Sequence, residues 1–209
     1  GSEKCKTYPS GNIKPYGLLQ SYGESDSMYF GLMTGSYTKN KSGGVLRKNI
    51  SSITDEIDST SGIFTGTAGV IDTLNNIEIV RYDYGNGHYN NTDNCPWGLS
   101  SFSDGECTNW GNPIGEIYYE ALRYFSGKAS ATSAFSTDDS GIISALFPVS
   151  WSDPYSTYPY CSNPFVMVIS DTSPSFDSDQ IPGSYFNSVS GDLSVDVETE
   201  TDTVGTNES

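Results

Sequence analysis

Residues 165 to 179 read FVMVISDTSPSFDSD. Phe165 to Ile169 are apolar at consecutive rather than alternate positions, and three of the five are β-branched. A short run of this kind is the pattern of a central strand covered on both faces, and strands covered in that way belong to α/β sheets. The run therefore predicts an α/β fold. Directly after it, Asp171 to Ser175 spell D-x-S-x-S, a carboxylate followed by hydroxyls on alternate residues, which raises an oxygen-ligated cation site.

Upstream, NPIGEIYYEALRYFSG at 112 to 127 reads as a helix, because Ile114, Ile117, Ala121, Leu122 and Phe125 recur at spacings of three and four. Its ends are marked as well. Asn112 can cap with its side-chain oxygen, Pro113 suits the first helical position and Gly127 suits the position past the end. The helix is expected to bury Ile117, Ala121 and Leu122, leaving Glu116 and Glu120 on its solvent face. MYFGLMTGSY at 28 to 37 and GGVLRKNI at 43 to 50 predict a hairpin. GVIDTLNNI at 69 to 77 suggests a short helix, IEIVRYDY at 77 to 84 a strand, and GNGHYNNTDN at 85 to 94 a loop.

With 209 residues the chain has the length of one sizeable domain. Ten basic against twenty-six acidic residues give a net charge of -16, which disfavours nucleic acid and anionic membranes as partners and favours an extracytoplasmic protein or one with affinity for divalent cations. Cys5, Cys95, Cys107 and Cys161 form no CxxC pair, and His88 is the one histidine, so zinc is not expected. An even count in a loop-rich chain points to two disulfides in an oxidising compartment, with three connectivities open; Cys95 and Cys107 close a short loop and are the first expectation, which leaves Cys5 with Cys161. No apolar run is long enough to span a membrane and no signal peptide is evident. Gly1 and Ser2 read as a cloning scar, with natural sequence expected upstream. Residues 3 to 187 read as a single domain, and 188 to 209 as an acidic flexible tail or truncated continuation.

Enzyme signatures are weak. SYTK at 36 to 39 and KSG at 41 to 43 match penicillin-binding elements in spelling, yet both crowd into one hairpin turn. There is no G-x-S-x-G elbow, P-loop or H-E-x-x-H, and a single histidine leaves little for a triad. A secreted hydrolase is thus disfavoured. Trp151, Tyr155, Tyr158 and Tyr160 could form an aromatic platform for sugars, which keeps a carbohydrate-binding module as an alternative. Packing of that loop over the core is favoured over the platform.

Four segments, CKTYPSGNIKPYGLLQSYG, YFGLMTGSYTKNKSGGVLRKNI, NWGNPIGEIYYEALRYFSG and FVMVISDTSPSFDSDQIPGSYF, resemble the PilC/PilY family of type IV pilus tip-associated adhesins over roughly positions 5 to 187. The resemblance implies part of an N-terminal region: a von Willebrand A-like sheet with flanking helices, interrupted by insertions and long disulfide-pinned loops. It also implies that Asp171 is the late carboxylate of a metal site whose opening loop lies upstream of Cys5, since only 34 residues follow Ser175. GNPIGEIYYEA resembles the second loop of such a site, with Asn112 near the place of the usual Thr. Asn112 is either a ligand or the helix cap, and the cap is favoured. Asp177 and Asp179 could hold Ca²⁺ with help from backbone carbonyls, or stand as solvated loop carboxylates. Mg²⁺ or Ca²⁺ are the cofactors implied. The function implied is non-enzymatic attachment at a pilus tip, outside the cell. The partners implied are minor pilins or the tip complex, a host or abiotic surface ligand, and the remainder of the parent chain.

Overall fold

Two three-residue strands, β1 (Cys5–Thr7) and β2 (Ile13–Pro15), pair antiparallel and lead into helix α1 (Leu18–Gly23). The computed structural model describes residues 4–89, 95, 101–158, 162–171, 173–185 and 190–208. The expected hairpin follows as β3 (Phe30–Thr34) and β4 (Val45–Ser51), antiparallel, with Phe30 opposite Ser51, Thr34 opposite Val45 and register shifts between them. Helix α2 (Val70–Asn76) fills the GVIDTLNNI segment. A two-residue ladder, β5 (Tyr82–Asp83) with β6 (His88–Tyr89), precedes helix α3 (Ile114–Phe125), the short helix α4 (Pro154–Thr157) and helix α5 (Val197–Glu208).

The architecture is mixed α and β, with three separate two-stranded antiparallel sheets among the described residues. No parallel pair occurs among the described residues. Two strands read from the sequence are corrected. IEIVRYDY contributes only Tyr82 and Asp83 to a ladder, and Ile77 and Ile79 are exposed. Phe165 to Ile169 form no strand and are all exposed. The physical reason is the same in both cases: β-branched composition favours extended backbone, but a ladder needs a partner with free N–H and C=O groups. The acidic segment from 188 contains the last helix. Val197–Glu208 is helical with no buried residue, and Asp196 accepts from Thr199 N at 3.0 Å at its start. Three threonines, Thr201, Thr203 and Thr206, donate to the carbonyl four residues earlier, which satisfies their hydroxyls within the helix.

Among the described residues, apolar packing forms two small clusters. Ile53, Ile57, Val70 and Ile71 meet under Leu19, Phe30 and Leu32, joining α2 to the hairpin. Tyr37, Val80 and Leu146 meet with Ile142 and Ile143. Charge fills much of what remains. Arg47 of β4 pairs with Asp139, the two side chains being 1% and 0% exposed. Lys48 pairs with Glu56, whose other oxygen accepts from Ile71 N at 2.7 Å, so one carboxylate binds the hairpin to α2. Asn40 donates to the carbonyls of Glu106, Cys107 and Trp110 and accepts from Gly105 N at 2.9 Å, tying the hairpin loop to the segment around Cys107.

The Cys95–Cys107 disulfide is formed, across 12 residues. Cys5 is exposed and has no disulfide partner among the described residues, and Cys161, its expected partner, lies outside them. Closing so short a loop should contribute about 2–4 kcal/mol. Urea unfolding with and without reductant should show that loss. Superimposable curves would mean that the bridge constrains nothing.

Candidate functional site

The start of α3 and the segment after Ile169 converge. Asn112 and Ser175 form an isolated antiparallel bridge, with Ser175 N donating to Asn112 O at 3.0 Å and Asn112 N donating to Ser175 Oγ at 3.0 Å. The Asn112 amide nitrogen donates to Ser170 Oγ at 2.7 Å and to Asp171 Oδ1 at 2.9 Å. Asp171 Oδ1 also accepts from Ser173 N at 2.9 Å, a turn in which the aspartate replaces a backbone acceptor. The sequence-based pair Asn112 and Asp171 is therefore brought together across 59 positions.

Asn112 does not cap the helix. The residue before Ile114 is Pro113, which has no side-chain acceptor, and the free N–H of Gly115 instead donates to the Asp177 carboxylate. A carboxylate from a distant loop thus fills the place of a cap and faces the positive end of the helix dipole. Asp171 is exposed, and the amide group facing it presents nitrogen rather than oxygen. One carboxylate with such a neighbour does not make up a ligand set for Mg²⁺, which wants near-octahedral oxygen. No group of three His, Cys, Asp or Glu side chains able to hold a metal occurs among the described residues.

The two glutamates expected in solvent are the least exposed groups of α3. Glu116 and Glu120 are each 0% exposed, whereas Leu122 is 38% exposed. The buried residues of the helix are Glu116, Tyr119, Glu120, Arg123 and Tyr124. Those positions also recur at three and four, so the spacing fits two opposite faces, and the sequence could have shown the polar one. Glu120 accepts from Arg123 Nη1 at 3.0 Å and from Thr132 N at 2.9 Å, while Arg123 also grips Asp192 through Nε and Nη2 at 2.9 Å. Glu116 accepts from Gly43 N at 2.6 Å and from Gln180 N at 2.9 Å. Gly43 has φ +42 and lies against Phe135, a place where any side chain would collide with the ring. Gly127, at φ +73, ends the helix as expected.

Burial pushes the Glu116 carboxyl up to about 7; hydrogen bonds from Gly43 and Gln180 oppose this, and Asp179 adds to it. Because the folded value lies above the ordinary 4.5, this group stabilises the fold fully below about 4.5 and loses that contribution as pH rises to about 7. Asp192, held down to about 2 by Arg123, acts only in more acidic solution. Chemical denaturation from pH 4.5 to 7 should show stability falling, and Glu116→Gln should flatten the slope. An unchanged slope in the variant would remove Glu116 as its source.

Among the described residues, Trp151 and Tyr158 have separate ring neighbours. Trp151 packs edge-on to Tyr124 at 5.6 Å and under the Arg123 guanidinium at 5.5 Å, and Tyr158 lies against Tyr29 at 4.3 Å. Tyr155 sits in α4 behind the Asp153 cap, and Tyr160 lies outside the described residues.

Residues 30–209 match a family model described as PilY1 homolog, second domain. A protein of Xylella fastidiosa (strain Temecula1 / ATCC 700964), the type IV pilus biogenesis factor PilY1 homolog, is 36% identical over 208 residues, covering 90% of this chain. The chain spans 14% of that relative's length. No solved structure matches.

Proposed function

This chain belongs to the PilY1-homolog family, and from that premise we propose that it is a non-enzymatic domain of a type IV pilus tip adhesin, serving attachment to surfaces and assembly of the tip. The family match over residues 30–209 carries this reading. The internal ties suit a part that bears load. A disulfide closes the loop ending at Cys107, and the Arg47 to Asp139 pair joins positions 92 apart, so pulling on one loop is resisted by cross-links before its backbone extends. The working location is the pilus tip or outer cell surface, where an oxidising environment maintains the disulfide. The partners on this reading are minor pilins or the tip complex, a surface ligand and the remainder of the parent chain.

For the fold, the proposal is a von Willebrand A-like domain completed outside this chain. Asp171 is then its late carboxylate, awaiting an opening loop supplied from upstream. Residues 1 to 209 alone should give negligible heat with Mg²⁺ or Ca²⁺. A longer natural chain carrying the upstream loop should bind measurably, and Asp171→Ala should abolish most of that gain. Equal, negligible heats in both would retire the metal reading.

The role itself is tested in the parent protein by excising residues 30 to 208 and counting surface pili and attached cells separately. Loss of attachment, with or without loss of pili, supports the proposal. Normal piliation together with normal attachment, with the shortened protein still present at the surface, contradicts it.

A further inference from the structure

We propose that the segment Ile77 to Val80 is an open strand edge that docks a short, basic, extended stretch of a separate polypeptide in the groove between it and Gly141. The segment already has a neighbour on one side, made of side chains rather than of a strand. The Tyr37 hydroxyl donates to Glu78 O at 2.6 Å and accepts from Glu78 N at 3.3 Å. Asn109 repeats this two residues on: its amide nitrogen donates to Val80 O at 2.7 Å, and its amide oxygen accepts from Val80 N at 2.9 Å. Ile77 opens the segment in extended conformation, with φ -67 and ψ 121, and in extended backbone successive residues direct their N–H and C=O groups to alternate sides. Ile79 therefore faces the other way, and neither its N–H nor its C=O has a partner among the described residues.

Ile79 lines a groove of about 410 Å³, with Glu78 to Arg81 as one wall and Gly141 and Ile142 as the other. That volume falls within the roughly 300–1,000 Å³ common to ligand sites. Gly141 keeps the far wall low: a Cβ built there would meet nothing within 4 Å. Both ends of the edge are closed. Ile77 N already donates to Thr73 O at 3.1 Å, and Arg81, at φ +57, turns the chain out of the extended run. An edge bounded in this way admits one short segment and does not seed a growing sheet.

An extended peptide matches this pattern, because the residue opposite Ile79 can exchange both backbone bonds with it while the peptide's neighbouring residues point away. The side chains of Ile77 and Ile79 share one face and are 44% and 56% exposed, so the incoming residue on that face is apolar. Glu78 is exposed beside them, and the chain carries a net charge of -16. The flanking residues of the partner are accordingly Lys or Arg, and the attraction also speeds encounter. The same charge opposes a second copy as occupant. Two isoleucines between Glu78 and Arg81 make a small apolar patch, which suits reversible binding by another protein rather than the permanent cover that a wide apolar face requires. This docking does not depend on the pilus role proposed above.

The probe is a capped five-residue peptide in which valine and lysine alternate with valine at the centre, titrated into the isotopically labelled 209-residue chain and followed by NMR. The Ile79 and Gly141 amides should shift saturably, with a Kd of about 1 mM or below. The same peptide methylated on its valine nitrogens keeps its charge but loses the donors of one edge, and should bind at least about tenfold more weakly. Gly141→Trp should weaken the unmethylated peptide as much while leaving the melting temperature unchanged, since its side chain starts in open space. If that variant unfolds, the methylated pair decides alone. Equal shifts with both peptides in the unaltered chain would mean attraction by charge only and would overturn the proposal. So would the absence of a saturable shift, shifts confined to other residues, or an Ile79 amide already protected from exchange through dimerisation.

Discussion

Asp139→Ala should destabilise the chain by about 3–5 kcal/mol, a large part of the 5–15 kcal/mol typical of a whole domain. Asp139 is 0% exposed and takes hydrogen bonds from Ser36 Oγ at 3.0 Å, Thr38 N at 3.1 Å and Thr38 Oγ1 at 2.9 Å besides its pairing with Arg47. Arg47 in turn donates to Leu146 O at 2.7 Å and Thr34 Oγ1 at 3.0 Å, so its guanidinium is fixed and cannot swing to water when its counter-charge goes. The loss is therefore that of an unpaired buried charge, and not the modest net worth of the pair. Replacing both partners, Arg47→Met with Asp139→Leu, should recover most of the stability. Urea midpoints of the unaltered chain and these two variants decide the matter: a loss below about 1 kcal/mol for Asp139→Ala would show that water reaches Arg47.

Along α3 the order of costs should run against ordinary intuition. Glu120→Ala should cost about 2–4 kcal/mol, because it strips Thr132 N and Thr132 Oγ1 of their acceptor and weakens the hold on Arg123, leaving Asp192 as that side chain's remaining carboxylate. Leu122→Ala should cost about 1 kcal/mol or less, since the side chain is already 38% exposed and leaves no closed cavity. If Leu122→Ala proved the costlier of the two, the helix would be seated by its apolar face.

That contrast marks how far the sequence could be read. The hairpin, α2 and the limits of α3 were legible, because hydrophobic spacing, Pro113 and Gly127 act within a few residues. The pairing of Cys95 with Cys107 was legible from proximity along the chain. The orientation of α3 was not, since its polar and apolar stripes share one period and only the distant partners Gly43, Thr132, Gln180 and Asp192 decide which is buried. The helix cap was missed for a related reason: Asp177 reaches Gly115 across 62 positions, a relation no local rule encodes. At the candidate site, the nearness of Asn112 to Asp171 was anticipated through family resemblance, while the amide's choice of nitrogen over oxygen depends on Ser170 and the turn at Ser173. The apolar run at 165 to 169 has strand composition, yet composition cannot supply the neighbouring strand.

Adjacent tyrosines on α3 allow the inverted seating to be observed directly. Hydroxyl-radical footprinting of the 209-residue chain should modify Tyr118, which is 42% exposed, and spare Tyr119 and Tyr124, which are 5% and 3% exposed. Leu122 should be modified along with Tyr118. Rapid modification of Tyr119 and Tyr124 with protection of Tyr118 and Leu122 would mean that the apolar face lies inward, and would contradict the buried polar network.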